Sequence, residues 1–423
     1  MVVRILLGFL FFSSAISFVN FTEYKTKETR IEIPSVIIET AYPLRLPGAD
    51  LPEAGIYDGI DSNSPMHWDD KGNLYVFASV RHPYRSSGPG LYQLTPKADR
   101  TTIRDAIGVE GGKWLEATWR DDDGTLYGWY HNEPSEVCSN DQHLSAPRIG
   151  ALISHDEGMT WEDLGIVLEA PSDSLNCDTQ NFYFAGGNGD FSVMLDQSKT
   201  YLYFFFGSYH GQVEEQGVSI ARMNYADRNQ PVGNLWKWNK GEWNQPGLGG
   251  RVTPIFPVAS NWHQADPDAF WGPSIHYNTY LKMHVILLNR AINRFWNQEG
   301  VYIAYNEDLS NPLGWTMPDR LPLDPQGMAY PQVAGLAKGG TDKLAGRTAR
   351  LFLLGHSRWQ IRFSLDGNDD ECVDCVGQTP ARPAISSRVT LPERQPVRAA
   401  RPSLLGRPSQ TKRLPIAPRQ INK

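Results

Sequence analysis

Leu202-Tyr203-Phe204-Phe205-Phe206 and the Gly217-Val218-Ser219-Ile220-Ala221 that follows it decide the fold, because this pair recurs along the chain. Equivalent first strands read Leu74-Tyr75-Val76-Phe77, Leu126-Tyr127-Gly128-Trp129-Tyr130, Met283-His284-Val285-Ile286-Leu287 and Leu351-Phe352-Leu353-Leu354. Their followers are Gly90-Leu91-Tyr92-Gln93-Leu94, Arg148–Ile153, Gly300-Val301-Tyr302-Ile303-Ala304 and Trp359-Gln360-Ile361-Arg362-Phe363. Short β-rich segments repeating at this scale describe a radial array of small sheets. The expected fold is all-β, a five-bladed β-propeller over residues 57–365 with a disordered C-terminal tail. Such a ring brings one strand entrance per blade to a common axis, so polar residues at those entrances converge.

Turn chemistry supports the hairpins: Asp70-Lys71-Gly72-Asn73, Asp122-Asp123-Gly124-Thr125 and Asp156-Glu157-Gly158 each join two apolar runs. The fifth unit supplies two recognisable strands and stops at Phe363, so closure needs a strand from elsewhere. Ile31–Ile38, inside the N-terminal segment 18–56, is the natural donor. Asn224–Arg251, with Trp236, Trp238 and Trp243, lengthens the third unit and reads as a surface loop.

At the N-terminus, Arg4 precedes the apolar run Ile5–Phe12 and a small-residue site ending at Ser17. This is the pattern of a secretory leader over residues 1–17, which places the mature protein outside the cytoplasm, secreted or periplasmic, with no membrane anchor after cleavage. Residues 366–423 contain no aromatic side chain and are rich in Pro and Arg. They bury too little apolar surface to offset the entropy of ordering, whether they are a native extension or a shifted reading frame. Cys138 and Cys177 flank one hairpin and read as a bridge or as idle thiols; Cys372 and Cys375 lack the second ligand pair that zinc requires. A net charge of −7 argues against a nucleic-acid partner.

Ser154-His155-Asp156-Glu157-Gly158-Met159-Thr160-Trp161 matches the S-x-D-x-G-x-T-W Asp-box of sialidases and other propellers. Its physics is that of a tight turn, and it speaks for fold rather than chemistry. A sialidase would further need an arginine cluster; Arg81, Arg148, Arg222, Arg290 and Arg358 follow the aligned strands at unequal offsets.

Laid along each repeat, the aligned strands single out three acids. Asp61, Glu116 and Asp190 lie ten to thirteen residues before Leu74, Leu126 and Leu202, where the preceding strand opens onto the axis. Glycoside hydrolysis uses such a set: one carboxylate activates water, one carboxylic acid protonates the leaving oxygen, and another tunes both. The fold and these positions resemble the five-bladed propeller glycosidases around glycoside hydrolase families 43, 32, 68 and 117. The resemblance implies a carbohydrate substrate, inversion at the anomeric carbon, Asp61 as base and Asp190 as the orienting acid. It departs in the fourth blade, where Ala269-Phe270-Trp271-Gly272-Pro273-Ser274-Ile275-His276 is similar to a Glu-Gly-Pro-His motif with Trp271 in place of the Glu. The proton donor is then Glu116 or His276, or the ring binds carbohydrate or protein without catalysis. His67, Trp119, Trp271 and Arg290 are the candidates for substrate contact, with Tyr130, Tyr209 and Trp262 as further stacking surfaces. No organic cofactor is expected. The resemblance leaves room for a structural calcium in the channel, with His263–Asp268 as the oxygen-rich stretch considered for it.

Overall fold

The computed structural model describes residues 33–49, 59–106, 108–109, 111–139, 143–323 and 329–365 of the 423. The expected leader and C-terminal tail, with Cys372 and Cys375, lie outside them. Five sheets form a five-bladed β-propeller. Blade 1 runs through Met66–Trp68, Leu74–Ser79, Pro83–Gly88 and Asp99–Arg100; blade 2 through Gly112–Arg120, Leu126–Glu133, Arg148–Ser154 and Thr160–Leu168, with Thr102–Arg104 added in parallel at its edge. Blade 3 holds Asn188–Leu195, Tyr201–Ser208, Gly217–Asn224, Leu235–Asn239 and Glu242–Pro246; blade 4 holds Ala269–Asn278, Met283–Ala291, Gln298–Asn306 and Asp319–Arg320. Blade 5 contains Gln332–Gly335, Thr348–Leu353 and His356–Ser364.

The ring closes by a strand from the beginning of the chain. Ser35–Arg45 pairs antiparallel with His356–Ser364, in register from Ser35 opposite Ser364 to Arg45 opposite His356. This strand starts later and runs longer than the segment expected from the sequence. It completes a four-stranded blade 5, so that blade is not short of a strand. Two other expectations change. Gly90–Leu94 is not a strand but contains a 3-10 turn at Leu91–Gln93, because the chain reverses at Val80–His82 and Pro83–Gly88 takes the place beside Leu74–Ser79. The Asn224–Arg251 stretch forms a hairpin, not a loop alone: Trp238 lies opposite Trp243, and Leu235–Asn239 extends the sheet of blade 3.

Apolar residues hold neighbouring blades together in pairs. One cluster joins blades 2 and 3 through Trp129, Phe191, Phe204 and Phe206; another joins blades 3 and 4 through Phe205, Ile220, Ile275 and Ile286. Blades 4 and 5 share Leu287, Ile303, Leu351 and Phe363; blades 5 and 1 share Phe352, Ile60 and Val76; blades 1 and 2 share Phe77, Leu115 and Trp161. Burying a side chain of this size contributes about 1.5–3 kcal/mol. Polar groups tie the centre. Asn63 Nδ2 donates to the carbonyls of Phe191 (2.8 Å) and Pro273 (3.0 Å), and Gln332 Oε1 accepts the Ser64 N–H at 2.6 Å. Inner segments of four blades are thereby pinned around one axis.

In the Ser154–Trp161 turn, Asp156 Oδ1 accepts the N–H groups of Met159 and Thr160, and Oδ2 accepts the Thr160 hydroxyl. The Trp161 indole turns back against Phe77. Cys138 and Cys177 form a disulfide. No helix of the described residues is long and apolar enough to cross a membrane.

Candidate functional site

The innermost strands of blades 2, 3 and 4 share one irregularity. Each is interrupted by a bulge: at Leu115–Ala117 around Glu116, at Gly189–Phe191 around Asp190, and at Trp271–Ser274 around Gly272-Pro273. A bulge leaves its extra residue unpaired and re-aims it. Asp190 takes a left-handed backbone (φ 44°), unusual for a non-glycine residue. Gly189 beside it is needed for close approach, since a Cβ there would lie 2.6 Å from His131 Cε1.

The two aimed acids meet at His131. Glu116 Oε1 lies 3.3 Å from His131 Nδ1, and the Asp190 N–H donates to the same nitrogen at 3.0 Å. The other ring nitrogen, Nε2, is 3.3 Å from Glu133 Oε1. Glu116 Oε2 accepts the Phe191 N–H at 3.1 Å. Asp190 is held from the opposite side by two phenols: Tyr209 donates at 2.5 Å and Tyr330 at 2.8 Å, one to each oxygen. Asp61 completes the set from blade 1, close enough that the charges of Glu133, Asp190 and Glu116 all act on it.

No lysine or arginine among the described residues pairs with these acids. Burial pushes Asp61 up to about 8, reinforced by Glu133 and Asp190 and opposed by His131. Burial likewise raises Glu116 to about 7, against the hydrogen bond from His131, and raises Asp190 despite His131 and the two phenols. Burial disfavours a charged His131, yet Glu116 and Glu133 outweigh it and lift the ring well above its ordinary value. Because Nδ1 faces both the Asp190 amide hydrogen and a Glu116 oxygen, the protonation of Glu116 and that of His131 are linked.

An aromatic wall flanks the acids. Trp271 packs on Trp296 at 4.7 Å and on Tyr330 at 5.3 Å, and Trp296 stacks on Trp262 at 4.8 Å. Phe184 stacks on Tyr209. Above them Phe182 and Phe295 meet at 4.9 Å and remain about half exposed, at 46% and 57%. The disulfide ties the loop after Glu133 to the segment carrying Phe182–Phe184. The site is therefore a polar floor with an apolar wall, a form common in ligand pockets.

Asp61, Glu116 and Asp190 come together, and Trp271 stands beside them. Of the further stacking surfaces expected, Tyr209 binds Asp190 and Trp262 lies in the wall; the remaining expected residues stand elsewhere. His276 lies deeper on its strand, against Phe363, where burial lowers it to about 3; His284 and Lys343, not the acids, are its charged neighbours. His67 stacks on Tyr75 and hydrogen-bonds Glu157 at the far end of blade 1. Trp119 also faces that end and donates to the Tyr225 hydroxyl. Arg290 is engaged by Asp268 through two 2.7 Å bonds. Tyr130 is bound to Asp163. His131, Glu133, Tyr209 and Tyr330 carry the site without having been singled out as its reactive or orienting groups. The first three sit just after the aligned strands of blades 2 and 3, and in an up-and-down blade the end of the second strand returns to the entrance of the first.

Glu116, His131 and Asp190 each offer a ligand atom within 4.8 Å of the others, a donor set open to a transition metal. Their lone pairs, however, already accept the Phe191 and Asp190 amides and both phenols. Two carboxylates and an imidazole also do not suit calcium, which takes six to eight oxygens. Asp268, in the other stretch considered, is committed to Arg290.

Solved structures similar in fold include an exo-1,5-α-L-arabinanase from a bovine ruminal metagenomic library, 11% identical over 72% of this chain and 94% of that one, with a TM-score of 0.41. Others are an endo-arabinase from Bacteroides thetaiotaomicron (11%, 77% and 96%, TM-score 0.43) and an α-L-arabinofuranosidase from Podospora anserina (10%, 77% and 96%, TM-score 0.43). No family model matches the chain, and no curated protein matches it. Similarity at this level says nothing about which side chains react.

Proposed function

We propose that the chain is an exported glycoside hydrolase whose reaction takes place at the Asp61–Glu133 side of this pocket. The observation that carries the reading is the convergence of four carboxyl groups from three blades around one histidine, beside an aromatic wall, with no lysine or arginine among the described residues paired to them. Burial in such a set lets Asp61 and Glu116 keep protons near neutral pH that isolated carboxyls would release. Glu116 and Asp190 are buried and hydrogen-bonded, at 1% and 3% exposure, which suits orientation rather than contact with substrate. Asp61 and Glu133 retain open surface.

Asp61, protonated to about 8, is the proton donor to the leaving oxygen, the reverse of the base role implied by family resemblance. Glu133 takes a proton from water as the water oxygen attacks the anomeric carbon and the glycosidic C–O bond breaks. His131 links Glu133 to Glu116 and so couples the base to a proton reservoir. A single displacement by water inverts the anomeric configuration. The disulfide and the leader-like start support export, since such bridges persist in oxidising compartments.

Turnover of an aryl glycoside panel tests this. Asp61→Asn and Glu133→Gln are each expected to lower kcat by about 10²–10⁴-fold with folding intact. A dinitrophenyl leaving group needs no proton, so it should rescue Asp61→Asn but not Glu133→Gln. Undiminished turnover in Asp61→Asn overturns the assignment. The competing reading, a binding propeller, is favoured by the bulge of blade 4, which presents Gly272-Pro273 where blades 2 and 3 present acids. Glycan binding without any turnover by the wild type would establish it.

A further inference from the structure

At the other end of blade 3 from Asp190, the hairpin within the Asn224–Arg251 stretch builds a second surface feature that the pocket does not use. Tyr201 lies opposite Asn224, Tyr203 opposite Arg222, Arg222 opposite Trp236, and Trp238 opposite Trp243. Side chains directly opposite each other share a sheet face, as do those two residues apart. One face of the outer strands is therefore a continuous band of aromatic rings around a single guanidinium. Its inner part packs into the core shared with blade 4. Its outer part is a cleft of about 210 Å³ lined by Tyr201, Arg222, Asn224, Trp236 and Trp243.

Arg222 is held rigidly there. Its guanidinium carbon lies 4.3 Å from the centre of the Tyr201 ring and 4.5 Å from that of Trp243, a cation between two π-faces. Trp243 is fixed in turn by Trp238 at 5.2 Å and Tyr203 at 5.9 Å. Other arginines of the described residues, such as Arg120, Arg228, Arg251 and Arg290, pair with carboxylates; no ion pair joins Arg222 to one. With both faces stacked and one hydrogen bond going to the Tyr203 hydroxyl, the rest of its N–H edge is the part that can meet a planar anion, and a carboxylate matches such an edge with two parallel bonds. Trp236 is 44% exposed and offers an open indole face, which complements the apolar C–H face of a pyranose. Asn224 adds an amide at the edge, although its Nδ2 already donates to Asp227.

We infer that this cleft is a binding site for a uronate sugar, with Trp236 stacking on the ring and Arg222 holding the carboxylate. The volume fits one sugar residue rather than an oligosaccharide. The eight-residue strand Tyr201–Ser208 separates this end of the blade from the Asp190 end, roughly 20 Å. The cleft is thus independent of the catalytic reading and survives its failure.

Titration of the full chain with methyl glucuronoside and, in parallel, methyl glucoside tests the inference by calorimetry and saturation-transfer NMR. The uronide is expected to bind at least about tenfold more tightly than the neutral sugar, and more weakly at high salt. Trp236→Ala, which alters an exposed side chain, and Arg222→Gln are each expected to weaken uronide binding by about tenfold or more, with melting temperature checked for both. Equal binding of the two sugars, binding unchanged in Trp236→Ala, or no binding of the uronide overturns it. A uronide seated only in the central pocket would give the second of these results.

Discussion

The strand Gly112–Arg120 carries two charged sites that obey opposite rules. Near its middle, Glu116 is buried with Asp61, Glu133 and Asp190 close by and His131 as its one ion-pair partner among the described residues. At its end, Arg120 sits between Asp70 and Glu157, and Glu157 also receives His67 at 2.9 Å. Asp61, Glu116 and Asp190 in the first region are raised. Glu157 in the second is lowered, because His67 and Arg120 outweigh its burial. Both regions consist of ordinary charged residues joining neighbouring blades, three in the first and two in the second. Only one spends folding energy on crowding like charges, and that kind of arrangement persists where chemistry needs it.

Substituting the two glutamates separates the regions most sharply. Glu116→Gln is expected to reduce turnover by about 10²-fold, because it removes the titrating carboxyl beside His131 while keeping the shape of the side chain. Glu157→Gln should leave turnover unchanged and cost about 1–3 kcal/mol of stability, as charge-assisted hydrogen bonds to Arg120 and His67 are lost. Steady-state kinetics and denaturant unfolding of both variants check this. If Glu157→Gln also abolishes turnover, the regions are not functionally distinct.

The two regions also respond to pH in opposite directions. Asp61 and Glu116 bind protons more tightly when folded, so the stability they contribute is complete below the ordinary carboxyl range, near pH 4, and is lost as pH rises through about 7 to 8. Glu157 and Asp156 are lowered when folded, so their contribution is present above that range and is lost as pH falls through their folded values. Melting temperature should therefore decline on both sides of a plateau. Asp61→Asn should flatten the alkaline decline and Glu157→Gln the acid one. An alkaline decline unchanged in Asp61→Asn would mean that Asp61 does not hold its proton.

The strands and their repeat were legible because packed sheets leave a periodic apolar record, and turn residues punctuate it. The acids were legible for the same reason: the repeat supplied a coordinate. What it lacked was direction. Counting backwards from Leu126 finds Glu116, while Glu133 and His131 lie forwards, at the same end of the blade once the strand has doubled back. His276 failed for a different cause. Its offset matches that of His67, but both lie along their strands away from the acids, in packing positions among Phe363 and Tyr75. The bulges at Glu116, Asp190 and Gly272 decide which side chain turns to the axis, and a bulge depends on pairing that no single strand records. Tyr330 is farther still from view, since it reaches Asp190 from blade 5 across 140 positions of sequence.

Tyr330 gives the smallest and most discriminating test. Its hydroxyl donates to one oxygen of Asp190 while Tyr209 serves the other. Tyr330→Phe removes a single donor and keeps the ring against Trp271. Asp190 retains Tyr209, so the lost bond is worth about 1 kcal/mol and turnover should fall by roughly fivefold. The more telling expectation is a shift in the pH profile. Without that donor the ionised form of Asp190 is less favoured, and the charge it exerts on Asp61 weakens. Asp61 should then release its proton at lower pH, moving the alkaline limb of kcat to the acid side. A merely structural tyrosine would reduce turnover equally at every pH, so an unshifted limb would detach Tyr330 from the acid network.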